Sequence, residues 1–493
     1  MDKENARKTF HAAIERQRLG DLDAAERLFA EVLRTVPGHP SSLHNLGLIY
    51  QHGGRHVEAV AAFQHLVDDA PDDMAARFAL ASALQAAGRL GDSEGVLRDV
   101  VGREPGMVDA LVNLGLVLGE RGNTEESEEI SLRAVNLAPE RPDAHYAHAM
   151  AHRISAAEPE IETMRRLVAS DVVSEEHRIL LEFALGKAHD DLGDYDAAFS
   201  WYRRANLHKA RETRFDAAHH RGEMAAIKAA FRGAQPAPAN PAHGPVSLFV
   251  VGLSRSGKSL IESVLARHQG VLGLEERFGW HQTMRSICDK HGVDAPFPDC
   301  AANLPEAKAA EMGAVFHNAV AEAAPNSRLA IHTRPDNYKY LGLILRALPS
   351  AKVIHCRRDA MDICLRIYFK LYKAGNKYAY DLGNIAAFHN AYTDLMAHWQ
   401  GLFTERILTI DYEALTRRPA DVMGRILAFC GLDGDPLAPS VRADEVGHWK
   451  HYARHLDGLC AQLSAAPSGQ ADGVRVGAQP SHGPHPKKGT DGE

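Results

Sequence analysis

No stretch of this 493-residue sequence approaches the roughly 18 consecutive apolar residues needed to cross a bilayer. The opening residues, Met1-Asp2-Lys3-Glu4-Asn5-Ala6-Arg7-Lys8, are charged and lack the apolar core of a secretory leader. Both absences predict a chain with no membrane span, and the expected location is the cytoplasm. Cationic excess is missing too: 56 Lys and Arg stand against 64 Asp and Glu, a formal net charge of −8, which argues against nonspecific nucleic-acid binding. Cysteine is sparse, and Cys288, Cys300, Cys356, Cys364, Cys430 and Cys460 show no CxxC pair or zinc-like spacing. Scattered buried thiols in a reducing compartment are the simplest reading, and no metal site is expected. With 45% hydrophobic and 24% charged residues, the composition is that of a soluble globular protein, long enough for two or three domains.

What the N-terminal part does have is a period. Gly20, Gly54, Gly88 and Gly122 recur every 34 residues, and Pro37, Pro71, Pro105 and Pro139 keep the same spacing. Leu46-Gly47 and Leu114-Gly115 precede two of these glycines, Glu58-Ala59 follows one, and Phe29 or Phe63 comes farther on. The pattern resembles tetratricopeptide repeats, in which two antiparallel helices turn at the glycine and the proline ends each repeat. Repeats are expected near 7–40, 41–74, 75–108 and 109–142. The period slips after Arg153 and returns near 177–210, where Phe183-Ala184-Leu185-Gly186 precedes Gly193-Asp194-Tyr195-Asp196-Ala197-Ala198-Phe199. The array is expected over 1–232 and implies a protein or peptide partner, with a homodimer as another use of the same surface. Residues 233–245, with four prolines, read as a linker, and 465–493, poor in large apolar side chains, as a disordered tail.

From Val246 the pattern changes. Short apolar runs at Leu248–Val251, Arg328–Ile331, Lys352–His355 and Arg406–Ile410 alternate with helical stretches. This predicts an α/β domain over 246–464 with a mostly parallel sheet and its ligands at the carboxyl ends of the strands. Val246 to Ser259 reads as strand, glycine-bounded loop and helix start, which gathers backbone N–H groups and a positive dipole end around one point and favours a phosphate or sulfate. Gly252 to Ser259 also satisfies GxxxxGK[ST], the Walker A pattern. In that reading Lys258 meets the β and γ phosphates, Ser259 holds magnesium and Asp411 supplies a second acidic group.

A longer resemblance covers the same stretch. Phe249-Val250-Val251-Gly252, Arg255-Ser256-Gly257, Ser259-Leu260, Glu262, Leu265-Ala266, His268 and Gly273-Leu274-Glu275-Glu276 are similar to the 5′-phosphosulfate loop of sulfotransferases. The resemblance implies PAPS (3′-phosphoadenosine 5′-phosphosulfate) as donor, with no metal. It puts Arg255, Ser256, Gly257, Lys258, Ser259 and Leu260 on the phosphosulfate, and Glu276 in the place of a general base. Lys352-Val353-Ile354-His355-Cys356-Arg357-Arg358-Asp359, continuing to Ile367-Tyr368-Phe369, resembles the family's 3′-phosphate segment, with Arg358 as the phosphate-binding arginine. Against the family pattern, Lys258 replaces a hydroxyl residue, Arg366 replaces a serine and adds a cation to the donor segment, and Thr333 stands where relatives carry lysine, with Arg334 beside it. A later phosphate contact matches Arg442, in Ser440-Val441-Arg442. The fold implied is a tetratricopeptide solenoid followed by an α/β domain with a P-loop-like nucleotide site.

Transfer of a sulfuryl group to a hydroxyl or amine requires in-line alignment, a proton acceptor and positive charge on the bridging oxygen. Arg255, Lys258 and Glu276 are the catalytic candidates. The acceptor, whether protein, carbohydrate or lipid, is not readable from the residues. A magnesium–ATP phosphotransferase and a catalytically idle repeat scaffold are the other readings. Arg357 is expected on the face opposite Arg358, Asp359 as a helix cap, and His332 and His355 as hydrogen-bonded interior histidines.

Overall fold

The computed structural model describes residues 3–155, 159–234, 244–302, 304–372, 375–437 and 446–464. Most of the expected linker, all of the expected tail and Arg442 lie outside the described residues.

Antiparallel helix pairs build the N-terminal part: α1 (Lys3–Arg18) with α2 (Leu22–Thr35), α3 (Pro40–His52) with α4 (His56–Asp69), α5 (Met74–Ala86) with α6 (Leu90–Arg103), and α7 (Val108–Arg121) with α8 (Thr124–Leu137). The periodic glycines Gly20, Gly54, Gly88 and Gly122 all have positive φ, between 71° and 89°, so the tight turn inside each pair uses a conformation that a Cβ disfavours. The glycine seven residues earlier serves packing instead. A Cβ on Gly47 would come within 2.5 Å of the Phe63 ring, so the small residue admits the aromatic of the paired helix. The same device joins α11 (Glu175–Asp191) to α12 (Tyr195–Glu212), where Gly186 faces the Tyr202 ring. Between them, where the period slips, α9 (Pro142–Ala151) and α10 (Glu160–Val168) continue the stack. The last helix before the proline-rich stretch is α13 (Ala217–Ala230).

The second part runs β1 (Val246–Val251), α14 (Lys258–Leu265), β2 (Val271–Gly273), α15 (Trp280–Lys290), α16 (Asp299–Ala302), α17 (Glu306–Ala323), β3 (Leu329–His332), α18 (Asn337–Ala347), β4 (Lys352–Arg357), α19 (Ala360–Tyr368), α20 (Leu382–Leu402), β5 (Ile407–Asp411), α21 (Tyr412–Arg417), α22 (Pro419–Cys430) and α23 (Asp457–Ser464). Its sheet has the order β2-β3-β1-β4-β5, and every pairing is parallel. The four expected strands are present. The fifth, β2, is a three-residue edge strand too short to show an apolar alternation in the sequence. From β1 the chain moves to one side of the sheet and later returns on the other, which opens a crevice at the carboxyl end of β1.

Leu248 and Val250 of β1 pack with Ile261, Val264 and Leu265 of α14 and Met423 and Ile426 of α22 on one sheet face. On the other face Phe249, Val251 and Val353 open a core that continues through α18 and α20 to Phe183, Phe199 and Tyr202 of the final helix pair. That core ignores the expected division of the chain at 232. Helix α13 lies on α20, with His220 stacked on Phe388, Phe231 against Trp399 and Lys228 paired to Asp394 at 2.6 Å. Asn206 of α12 donates to the Tyr368 carbonyl at 2.9 Å. Cys288, Cys300, Cys356 and Cys364 are buried as expected, whereas Cys430 is half-buried and Cys460 exposed, because their helices face solvent there. Among the described residues no helix is long and apolar enough to cross a membrane.

Two glycine substitutions test this packing. Gly186→Ala puts a methyl 2.9 Å from the Tyr202 ring and is expected to cost about 1–3 kcal/mol. Gly95→Ala, in the exposed interior of α6 with nothing within 4 Å of the new atom, is expected to raise stability by about 0.5–1 kcal/mol. Calorimetric melts of the two variants should move in opposite directions.

Candidate functional site

The loop after β1 is wound tightly. A Cβ on Gly252 would lie 2.2 Å from the Ser256 hydroxyl and 2.8 Å from the Cys356 carbonyl, so only glycine lets the loop close against β4. Arg255 (φ 69°) and Gly257 (φ 98°) both adopt left-handed backbone, a conformation that costs a non-glycine residue about 1 kcal/mol or more. The Tyr372 hydroxyl holds Ser254 at 2.8 Å. Ser256 is 2% exposed, and its hydroxyl has no partner among the described residues. Lys258, Ser259 and Leu260 open α14, where backbone N–H groups have no preceding helical carbonyl to bond.

Lys258 folds back over the loop and donates to the Gly252 and Leu253 carbonyls at 2.8 and 3.3 Å. Burial lowers its pKa, and Glu276 opposes that shift. From β4, Arg358 reaches the same loop: it is 6% exposed, donates to the Arg255 carbonyl at 3.2 Å, and lies 4.1 Å from the Tyr412 ring centre. Arg357 points the other way, to Asp411 at 2.6 Å, as strand alternation requires. Asp359 caps α19 by accepting from the Met361 and Asp362 N–H groups. Asp411, the magnesium partner of the Walker reading, is thus paired with an arginine, and the described residues contain no group of three or more His, Cys, Asp or Glu that could hold a metal ion. Arg366 carries its charge toward the array, where it acts on Asp190 of α11 and Tyr202 of α12.

Glu276 follows β2, on a loop pinned from several sides. The Thr333 N–H donates to the Glu275 carbonyl at 3.1 Å, and Arg334 donates to the Glu276 carbonyl at 3.3 Å. Burial pushes the Glu276 carboxyl up to about 7, with Lys258 and Arg334 pulling it down and Asp336 and Glu120 pushing it further up. Glu262 is a second carboxyl of the site, buried at 8% exposure and with no role in the sequence reading. It accepts from the Glu275 N–H at 2.9 Å and the Thr333 hydroxyl at 2.8 Å. Burial raises it to about 7, and those two hydrogen bonds moderate the shift. Thr333 therefore anchors Glu262, while the cation beside Glu276 comes from Arg334.

The repeats also meet this loop, which no residue pattern signalled. A Cβ on Gly88 would fall 2.5 Å from a Glu276 carboxylate oxygen. Glu275 accepts from Arg121 at 2.8 Å and from the Gly91 N–H at 3.2 Å, and Arg277 pairs with Asp92 at 2.9 Å. Of the two strand-end histidines, His332 corrects the expectation of a hydrogen-bonded interior residue. It is 1% exposed, stacked 4.9 Å from Phe249 among aromatic rings, and neither ring nitrogen has a partner among the described residues. Burial lowers its pKa to about 3, so it stays neutral. His355, lowered to about 4 by burial with help from Arg357, lies edge-on to Tyr392.

Residues 245–436 match the sulfotransferase family model, and residues 10–73, 78–145 and 183–206 match tetratricopeptide-repeat models. An uncharacterised protein of Aquifex aeolicus is 27% identical over 355 residues, covering 68% of this chain and 45% of that protein. The chain thus spans less than half the length of this curated relative. Among solved structures, MamA from Desulfovibrio magneticus RS-1 is 23% identical, covers 33% of this chain and 92% of its own, and has a TM-score of 0.30. A tetratricopeptide repeat protein from Parabacteroides merdae is 19% identical, covers 42% and 92%, and has a TM-score of 0.32.

The raised carboxyls carry a stability signature. Glu262 moves from 4.5 to about 7 on folding, so the fold favours its neutral form. Its contribution is full below pH 4.5 and is lost as pH rises through 7. The melting temperature of the wild type is expected to fall between pH 5 and pH 8, and Glu262→Gln should make that fall shallower without removing the part due to Glu276. An unchanged slope in calorimetric melts would locate the titration elsewhere.

Proposed function

We propose, from the premise that this chain joins tetratricopeptide repeats to a sulfotransferase-family domain, that it transfers a sulfuryl group from PAPS to an acceptor hydroxyl or amine. One observation carries the reading: a buried arginine, Arg358, and a carboxyl of raised pKa, Glu276, converge on the same left-handed loop. The unpartnered Ser256 hydroxyl and the first-turn N–H groups of α14 fit an anion at that point.

In this mechanism the acceptor oxygen attacks sulfur as the bond from sulfur to the bridging phosphate oxygen breaks. The acceptor proton passes to Glu276, and 3′-phosphoadenosine 5′-phosphate leaves. Arg255 and Lys258, with the Ser256 hydroxyl and the N–H groups of Gly257, Ser259 and Leu260, meet the charge that develops on the bridging oxygen. Lys258 must exchange the Gly252 and Leu253 carbonyls for that oxygen, a change of partner that its flexible stem allows. Arg358 grips the 3′-phosphate. The repeats recruit a protein or peptide that is the acceptor or brings it. The phosphotransferase alternative draws on Lys258 and Ser259, and its magnesium partner Asp411 would have to leave Arg357.

Two measurements test the reading. In thermal-shift titrations 3′-phosphoadenosine 5′-phosphate should raise the melting temperature, by the equivalent of about 2.7 kcal/mol at a hundredfold excess over its dissociation constant. ATP with magnesium should not. The reverse result would assign the loop to a phosphotransferase. Because Glu276 must be ionised to accept a proton, turnover of PAPS should rise with pH through about 7. Glu276→Gln should lower turnover by about a hundredfold or more while donor binding persists.

A further inference from the structure

The turn between the two helices of the third repeat touches the candidate base. Gly88 and Gly54 have the same φ of 71° and the same place in their repeats, yet their surroundings differ completely. Around Gly54 a Cβ would meet nothing within 4 Å. At Gly88 it would meet the Glu276 carboxylate oxygen at 2.5 Å and the Glu276 Cβ at 2.8 Å, so the side chain of Glu276 rests on the bare backbone of the turn. Three residues later the Gly91 N–H and, from the end of α7, the Arg121 guanidinium hold Glu275, itself in left-handed backbone at φ 52°. Arg277 on the other side is held by Asp92. The residues before and after Glu276 are therefore both fastened to the array, and its carboxyl is backed by it.

We infer that the repeat array is a working part of the transfer site: the turn at Gly88, with Gly91, Asp92 and Arg121, positions Glu276 for proton abstraction. This rests on the sulfotransferase reading given above. The array does not touch the reacting atoms, so these are positioning residues. Neighbouring connections lean on the same side of the site, where Glu120 of α7 pairs with Lys370 at 3.0 Å and His56 at the start of α4 lies close enough to Arg334 for that cation to lower its pKa, after burial. A partner of the repeats that shifted α5 to α7 would thus act directly on the loop that carries Glu276.

The charges that face Glu276 set the signs of the test. Lys258 and Glu262 lie on α14, Arg334 and Asp336 follow β3, Glu120 ends α7, and Glu275 is its chain neighbour, with Arg121 as the counter-charge of Glu275. Arg121→Ala leaves the Glu275 carboxylate without that cation, so its field opposes ionisation of Glu276 and the midpoint should rise. Gly88→Ala pushes the Glu276 side chain off the turn toward water, so its midpoint should fall toward the ordinary carboxylate range. Gly54→Ala imposes the same backbone conformation on alanine without the contact and is the matched control.

The experiment follows the Glu276 carboxyl by carbon NMR of the full chain labelled at glutamate, saturated with 3′-phosphoadenosine 5′-phosphate, together with PAPS turnover using para-nitrophenol as acceptor. Glu276→Gln identifies the signal. Gly88→Ala should lower the midpoint and Arg121→Ala raise it, each by about half a pH unit or more. Both should lower kcat by about tenfold with the KM for PAPS unchanged, and Arg121→Lys should recover part of the loss. Gly54→Ala should match the wild type in both readouts. If the wild type binds the nucleotide while Gly88→Ala and Arg121→Ala titrate and turn over like Gly54→Ala, the positioning role is wrong and the sulfotransferase reading stands. If the wild type shows no binding of the nucleotide at all, that reading falls and this inference with it.

Discussion

One apolar core joins the array to the sheet, because it runs without interruption from the last helix pair of the array into the strands. Phe183, Phe199 and Tyr202 pack into the same core as Phe249, Val251 and Trp399. Tyr202 stacks on Phe369 at 3.9 Å, and the Asp190 carboxylate of α11 accepts from His448 and Tyr452. Two units connected by a linker alone would leave their relative placement to a few weak polar contacts, each worth about 1 kcal/mol or less. A shared core of large aromatic side chains makes that placement part of the fold. The contacts between the repeat turns and the 274–277 loop can therefore hold a defined geometry even though each is a single ion pair or hydrogen bond at the surface.

The same packing sets the protonation of the acids inside the site. Glu262 and Glu276 are taken out of water by their surroundings, and both are raised to about 7 for that reason first. Their environments then separate them. Glu262 receives two hydrogen bonds and faces no cation within its contacts, so it acts as a clamp on Glu275 and Thr333. Glu276 has its carboxyl toward Lys258, Arg334 and the bare turn at Gly88. A carboxyl poised near neutrality and not committed to strong hydrogen bonds is suited to exchange a proton, whereas one already bonded on both oxygens is suited to hold a loop.

The repeats were legible in the sequence because each of their marks answers a local need. A left-handed turn selects glycine at 20, 54, 88 and 122, and an approaching aromatic ring selects it again at 47 and 186. The strands at β1, β3, β4 and β5 were legible as apolar runs, and the loop at 252–259 as a break between a strand and a helix. What could not be read is whatever depends on which surfaces meet. Nothing local distinguishes Gly88 from Gly54, since the difference lies in a loop almost 190 residues away. Helix α13 falls inside the range expected for the array yet packs on α20, because helical periodicity does not say which partner a helix will choose. His332 was expected to find a hydrogen-bond partner, but the ring instead stacks among Phe249, Phe278 and Phe316, and burial keeps it neutral.

Lys258 shows how the chemistry of a motif residue depends on its neighbours. In a Walker loop a lysine meets phosphate and an adjacent hydroxyl meets a metal held by a second carboxylate. Here the cation is half-buried, its ammonium donates to two carbonyls of its own loop, and Glu276 is the acid whose charge bears on it, while the carboxylate that would complete a metal site is bound to Arg357. Withdrawing an ammonium from water without a counter-charge is costly, so the Gly252 and Leu253 carbonyls and the Glu276 field together make the cation tolerable there. An incoming dianion offers a stronger partner than two neutral carbonyls, and the ammonium can turn toward it on the same stem. On the proposed reading, a lysine drawn toward the donor leaves Glu276 with less to hold it ionised, so Arg334 is the cation that keeps that carboxyl in the form able to accept a proton.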